Sequence, residues 1–207
     1  MSWVLFDYGG VISQHQPAAD LARLAAVAGC AVPEFSAAYW PPRLGYDRGD
    51  LDAETFWREV GNAIGRSFSA AQVGELTELD IHSWLHIQEG IEVLIAQVAE
   101  AGHRLALLSN APAEVAGAVS RLPVAAHFEH LVFSCFLRAA KPDAACFGAA
   151  LARLDADPGH VTFLDDRPGN VAAAAGLGMR GIHFAGAGQA AAELARHGVL
   201  PGAGPAR

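Results

Sequence analysis

A chain of 207 residues is long enough to enclose a substantial apolar core, as one medium domain or as a domain carrying an insertion. Its formal charge of −8, with no cluster of Lys and Arg to reverse it locally, excludes a nucleic-acid-binding surface. No apolar run approaches the roughly 18 residues of a membrane span, and Met1-Ser2-Trp3-Val4-Leu5-Phe6-Asp7 lacks the parts of a signal peptide, so a soluble, cytoplasmic protein is expected.

In chain order, the apolar run over 3–6 predicts a strand that stops at Asp7, with Gly9 and Gly10 just beyond. From 14 to 86 no strand is convincing, but helix patterns recur. Leu21, Leu24, Ala25 and Ala28 lie at helical spacing, and Asp52 caps an amphipathic run through Phe56, Trp57 and Val60. Ser69-Ala70-Ala71-Gln72 has capping-box spacing ahead of Val73 and Leu76. Trp40, Phe56 and Trp57 are assigned to the small core of this helical block.

From about residue 90 the rhythm becomes an alternation. A helix over 91–101 leads to a strand over 104–108 that ends at Ser109-Asn110, and Pro112 opens the next helix. A strand over 131–133, a helix over 142–154 and a strand over 161–164 ending at Asp165-Asp166 follow. An Ala-rich helix from Asn170, a strand over 181–184 and a helix over 190–196 complete the series, and the Gly-, Pro- and Ala-rich tail after Gly198 is expected to fray. Cys30, Cys135 and Cys146, odd in number and widely spaced, fit neither a disulfide framework nor a zinc site and read as reduced residues in or near the core. The fold class is α/β: a doubly wound, parallel, Rossmann-like sheet formed by 1–13 and 87–207, with an all-helical cap over 14–86.

Ligands of open α/β sheets bind outside the carboxyl ends of the strands. Asp7, Ser109-Asn110 and Asp165-Asp166 all stand at such ends, although up to about 160 residues separate them. Lys141-Pro142, at the opening of a helix, adds a cation. Each alone has a bland reading, Asp7 as a turn former and Lys141 as a solvated side chain. Together they offer a nucleophile or ligand, a phosphate-oxygen donor, a cation and a second carboxylate set.

At these positions the chain resembles the haloacid dehalogenase superfamily of phosphohydrolases, in particular the subgroup with a small helical cap after the first strand and an Asp-X-Gly first motif. Phe6-Asp7-Tyr8-Gly9-Gly10-Val11-Ile12, Leu108-Ser109-Asn110, Lys141-Pro142-Asp143 and Phe163-Leu164-Asp165-Asp166-Arg167-Pro168-Gly169-Asn170 match its four motifs in order. The resemblance implies that Asp7 attacks phosphorus and forms an aspartyl-phosphate. It implies Mg²⁺ held by an Asp7 oxygen, the Gly9 carbonyl and Asp166, with Asp165 and Asn170 orienting metal-bound waters. It assigns the Ser109 hydroxyl and the Asn110 backbone N–H to phosphoryl oxygens, and Lys141 to the space between nucleophile and phosphate.

One departure matters: where the family usually carries a second Asp, as general acid and base, this chain has Gly9. A positioned acid or base contributes roughly 10²–10⁴-fold, so a slow enzyme, a good leaving group or a substitute group is expected. His15, in the flap region after the first strand, is the candidate substitute. Arg48, in a Gly-flanked turn with Tyr46 and Asp47, is the candidate for gripping a second anionic group. His82 and His86 have ligand spacing, yet no carboxylate accompanies them in the sequence, and His127 and His130 are equally unsupported.

Three readings follow. The first is a Mg²⁺-dependent phosphatase acting on a small phosphorylated metabolite such as a sugar phosphate, enclosed by cap movement. The second is a catalytically weak relative that binds a phosphorylated ligand or partner protein. The third is a 2-haloacid dehalogenase, disfavoured because the adjacent Asp165 and Asp166 would repel the substrate carboxylate. Oligomeric state is left open.

Overall fold

The computed structural model describes residues 2–201. In chain order the elements are β1 (Trp3–Phe6), α1 (Ala18–Ala28), α2 (Val32–Asp47), α3 (Ala53–Ala63), α4 (Ala70–Ser83), α5 (Ile91–Glu100) and β2 (Arg104–Ser109). There follow α6 (Ala113–Val119), a 3₁₀ turn (Pro123–His127), β3 (His130–Phe133), α7 (Ser134–Leu137) and α8 (Ala144–Leu154). A second 3₁₀ turn (Pro158–His160), β4 (Val161–Asp165), α9 (Pro168–Gly176), β5 (Arg180–His183) and α10 (Ala187–Arg196) close the series.

All strand pairings are parallel, in the order β3-β2-β1-β4-β5. Because side chains alternate across a strand, Val4 and Phe6 join Leu105, Leu107 and Leu164 on one face. Trp3 and Leu5 join Ala106, Leu108, Val161 and Phe163 on the other. Both faces are therefore apolar, as a sheet covered by helices on each side requires. β1 lies at the centre between β2 and β4, which makes the tips of those three strands neighbours.

Helices α1–α4 enclose an apolar cluster of their own, with Leu24, Phe35, Tyr39, Phe56, Trp57, Val60 and Leu76 buried. Both cap signals act as expected. The Asp52 carboxylate accepts the Thr55 N–H at 2.8 Å, and Ser69 and Gln72 form a reciprocal capping box. The long helix α2 carries Pro41 and Pro42 in its interior. These remove two helical N–H donors and mask the periodicity that a sequence reading relies on.

The sequence expectation for the tail needs correction at its start. Val199 and Leu200 are buried in the core, and their N–H groups bond the Leu194 carbonyl at 2.9 and 3.3 Å. Residues 202–207 lie outside the described part of the chain. The helix predicted over 142–154 begins at Ala144, after Asp143 as its N-cap.

The helical block joins the sheet through two chain segments that run side by side. Gln14 N–H bonds the His86 carbonyl at 2.7 Å, Gln88 N–H bonds the Ile12 carbonyl at 2.8 Å, and Ser13 forms a bridge with Ile87. A second contact lies across the cleft, where the buried Ser134 hydroxyl accepts the Ala111 N–H at 3.0 Å and donates to the Asp47 carbonyl. Gly49, at φ 77°, passes so close that a Cβ there would stand 2.7 Å from the Cys135 carbonyl oxygen. Ser134→Ala strands a buried N–H and should cost about 1–3 kcal/mol. The expected readout is a thermal midpoint lowered by several degrees; an unchanged midpoint contradicts this role for the hydroxyl.

Candidate active site

The tips of β1, β2 and β4 and the turn before α8 bring the expected residues to one cleft of about 640 Å³. Asp7, Gly9, His15, Ser109, Asn110, Lys141, Asp166 and Asn170 all line it. Asp165 lies directly beneath, fully buried. Asp7 is fixed by backbone on one side, its own N–H bonding the Leu164 carbonyl at 2.9 Å. Its Oδ1 accepts the Tyr8 N–H at 2.6 Å and stands 2.7 Å from Lys141 Nζ.

Lys141 is the pivot. Its buried ammonium also contacts Asp165 Oδ2 at 2.8 Å, so one cation spans two carboxylates from neighbouring strands. Asn110 sets the lysine in place through its peptide: Oδ1 accepts the Lys141 N–H and Nδ2 donates to the Lys141 carbonyl, both at 2.9 Å. The Asn110 side chain is thereby engaged in positioning. Asp165 is likewise fully engaged, accepting Asn170 Nδ2 at 3.0 and 2.9 Å and the Arg167 N–H at 2.8 Å besides the lysine.

Asp166 differs. Its Oδ1 is buried without a hydrogen-bond partner, and its Oδ2 stands 3.2 Å from Nε2 of the exposed His15. Ligand oxygens of Asp7, Asp165 and Asp166 lie within 4.8 Å of one another. Burial pushes the Asp7 carboxyl up to about 7, against the pull of Lys141 and with a further push from Asp165. Burial and Asp165 also raise Asp166, partly countered by His15 and Lys141. Burial opposes the charge on Lys141, yet Asp7 and Asp165 more than offset it and hold the lysine above its ordinary value. The centre thus has more negative charge than its own cation neutralises.

Gly10 explains the second glycine of the first motif. It sits at φ 80°, and a Cβ there would fall 2.6 Å from Asp166 Oδ2. At Gly9 the neighbour is Trp84, whose Cζ3 would be 3.2 Å from an added Cβ. An indole, not a substitute acid, therefore occupies the space beside this position.

The cleft's roof comes from α2, which presents Trp40, Arg43, Leu44 and Asp47 at i, i+3, i+4, i+7 spacing. The opposite face of α2 is buried, with Phe35, Ala38, Tyr39 and Tyr46 in the helical core. Two expectations are corrected here. Trp40 is 51 % exposed and lines the cleft instead of filling the core as Phe56 and Trp57 do. Arg48 is not part of the cleft lining: it pairs with Asp50 at the surface, Nε to Oδ2 at 2.6 Å, just past the end of α2.

Tyr46, Asp47 and Arg48 accordingly do not form a turn between helices: Tyr46 and Asp47 are the last turn of α2. The cleft's cap-borne guanidinium is instead Arg43. It is buried and held by Asp47 Oδ1 at 2.7 Å and by Asp80 Oδ2 at 2.8 Å. The signal for this face was the 40-43-44-47 spacing, hidden by the two prolines inside it. His82 and His86 do meet a carboxylate, that of Asp20, which the sequence separation concealed. His130 packs its ring on Trp3, with centroids 5.5 Å apart.

The family model for haloacid dehalogenase-like hydrolases matches residues 1–178, and the chain belongs to that family of hydrolases. Flavin mononucleotide hydrolase 1 of Arabidopsis thaliana, described as chloroplastic, is 25% identical over 154 residues. That match covers 74% of this chain and only 61% of the plant protein. A predicted HAD-like hydrolase of Porphyromonas gingivalis superposes with a TM-score of 0.69 at 25% identity, over 87% of this chain and 89% of that one. A HAD family enzyme of Bacteroides thetaiotaomicron, solved as a magnesium complex, shares the fold with a TM-score of 0.76 at 20% identity, over 95% and 98%. Among the described residues no single helix is long and apolar enough to cross a membrane.

A stability test follows from the excess negative charge. An Asp7 carboxyl held near 7 when folded, against 3.8 ordinarily, disfavours the folded state progressively as pH rises from about 4 to about 7, with about 1.4 kcal/mol per unit as the upper scale. In metal-free protein Asp7→Asn should therefore raise the unfolding midpoint by a few degrees at pH 8, and the gain should shrink to nothing near pH 4. A loss of stability at pH 8 would show that the ion pair with Lys141 outweighs the burial cost.

Proposed function

We propose that this chain is a Mg²⁺-dependent phosphatase that hydrolyses a small phosphorylated metabolite through an aspartyl-phosphate on Asp7. The observation that carries the reading is the buried Asp166 oxygen without a partner beside Asp7, in a centre where three carboxylates gather around one lysine that pairs with only two of them. Hard oxygen donors with surplus negative charge fit Mg²⁺. Asp7, the Gly9 carbonyl and Asp166 would hold it, with Asp165 and Asn170 behind them. When bound, the ion offsets the charge of phosphate and carboxylate.

The protein's own groups do the rest. Asp7, immobilised by Tyr8 N–H and Lys141, forms the bond to phosphorus as the bond to the leaving oxygen breaks. Lys141, Ser109 and the Asn110 N–H receive the phosphoryl oxygens, and Lys141 keeps its proton because two carboxylates favour the charged form. Water then attacks the phosphorus of the aspartyl-phosphate, releasing inorganic phosphate and restoring Asp7. The leaving oxygen needs a proton that position 9 does not supply. His15, on the cleft wall, is the imidazole available for it.

For substrate, the apolar surfaces of Trp40, Leu44, Trp84 and Val115 favour a phosphate ester with a flat, partly apolar body. Arg43 is already paired twice, which argues against a second anionic group on the substrate. The plant relative's name makes flavin mononucleotide the first ester to test. Turnover should require Mg²⁺ and fall by at least about 10³-fold in Asp7→Asn, measured as phosphate release. Wild-type rates in that variant would remove the nucleophile. Ligand affinity without turnover would favour the catalytically weak reading, and halide release from a haloacid the dehalogenase.

The position beside Gly9 gives a second test. Gly9→Asp alone should gain little, because Trp84 crowds an added Cβ at 3.2 Å and must shift to admit it. Gly9→Asp combined with Trp84→Ala should speed cleavage of poor leaving groups by roughly 10–100-fold over Trp84→Ala alone. No gain in the combined variant would show that proton transfer does not limit the reaction.

A further inference from the structure

A second set of ligating side chains lies outside the cleft, where the helical block meets its attachments. Asp20 is in the first turn of α1, His82 in the last turn of α4, and His86 on the returning segment whose carbonyl bonds Gln14. Asp20 Oδ2 is 2.6 Å from His86 Nε2, and Oδ1 is 3.6 Å from His82 Nδ1. The two imidazole rings cross at 86° with centroids 5.2 Å apart. One ligand atom from each of the three residues lies within 4.8 Å of the other two.

We propose that Asp20, His82 and His86 form a binding site for a borderline transition-metal ion of the Zn²⁺ type. Two imidazoles and one carboxylate are the donors such an ion prefers, and water would complete a four-coordinate shell. The same donors are a poor choice for Mg²⁺, which seeks oxygen, so this site and the cleft select different ions. Asp20 is buried and anchored, with its side chain 8 % exposed, while His82 is 56 % exposed and leaves a path for entry. Arg23, whose Nη1 is 3.6 Å from Asp20 Oδ1, is 59 % exposed and free to swing into solvent as the ion takes its place.

The placement gives the ion a consequence. Asp20 and His82 lie on the first and last helices of the block and His86 on the segment that returns to the sheet beside Gln14, so binding ties that segment to both ends of the block and restrains movement of the block over the cleft. No ligand is shared with the cleft, so this inference stands whether or not the chain is a phosphatase.

The test uses untagged, full-length Asp166→Asn protein, in which the cleft's carboxylate set is broken, titrated with Co²⁺ as a visible reporter of coordination. One equivalent should bind with the strong absorption of a tetrahedral site, and Zn²⁺ should bleach it. Adding His82→Ala should weaken binding by at least the roughly 10–100-fold that loss of a supporting group costs, whereas His127→Ala should not. Zn²⁺ should also raise the thermal midpoint of the wild type and not of His82→Ala, whose exposed position protects the fold. Absence of tight Co²⁺ uptake, or a spectrum indifferent to His82→Ala, overturns the proposal.

Discussion

The arrangement depends on a buried ammonium shared by two carboxylates. Lys141 stands between Asp7 at the tip of β1 and Asp165 at the tip of β4, with all three groups withdrawn from water. Removing the lysine would leave two buried carboxylates without compensation, which costs far more than the set contributes over apolar packing. The lysine is therefore a geometric requirement. Asn110, at the tip of β2, grips its peptide from the third side and ties three adjacent strand ends to a turn about 30 residues away.

That network leaves negative charge in excess by construction. Asp165 is saturated by protein donors, Asp7 is partly satisfied, and Asp166 keeps a buried oxygen with no partner. A protein that only needed stability would replace such groups by apolar ones. Strain of this kind collects where a ligand resolves it. The glycines serve the same end: Gly10 lets the chain pass Asp166 at a distance no side chain allows.

The sheet was legible because its signal is local. Four-to-six-residue apolar runs that stop at a polar residue identify buried parallel strands, and the two-residue alternation of Val4 and Phe6 against Trp3 and Leu5 sorts their faces. The strand tips followed from topology, and so did Asp7, Ser109 and Asp166, while Lys141 was expected at the opening of a helix, with its role given by the family resemblance. The cleft's roof was not legible. α2 carries large apolar side chains on both faces, one packing on Phe56 and Trp57 and the other setting Trp40 and Leu44 beside Arg43 and Asp47 in the cleft, and its prolines interrupt the period. Arg48 stood out as a cation beside glycines, but the helix runs to Asp47 and leaves Arg48 at the surface, with Arg43, five residues earlier, in its place. Asp20 and His86 are paired across 66 residues, a contact that only tertiary packing creates.

The central claim is that Asp7 and Asp166 converge on one cation at the rim of the sheet. The most direct measurement is a crystal structure of the wild-type protein grown with Mg²⁺ and inorganic phosphate. The account predicts a single octahedral ion bonded to Asp7, the Gly9 carbonyl and Asp166, with phosphate against Ser109 and Lys141. An ion bound without Asp166, or phosphate seated away from Asp7, would contradict it.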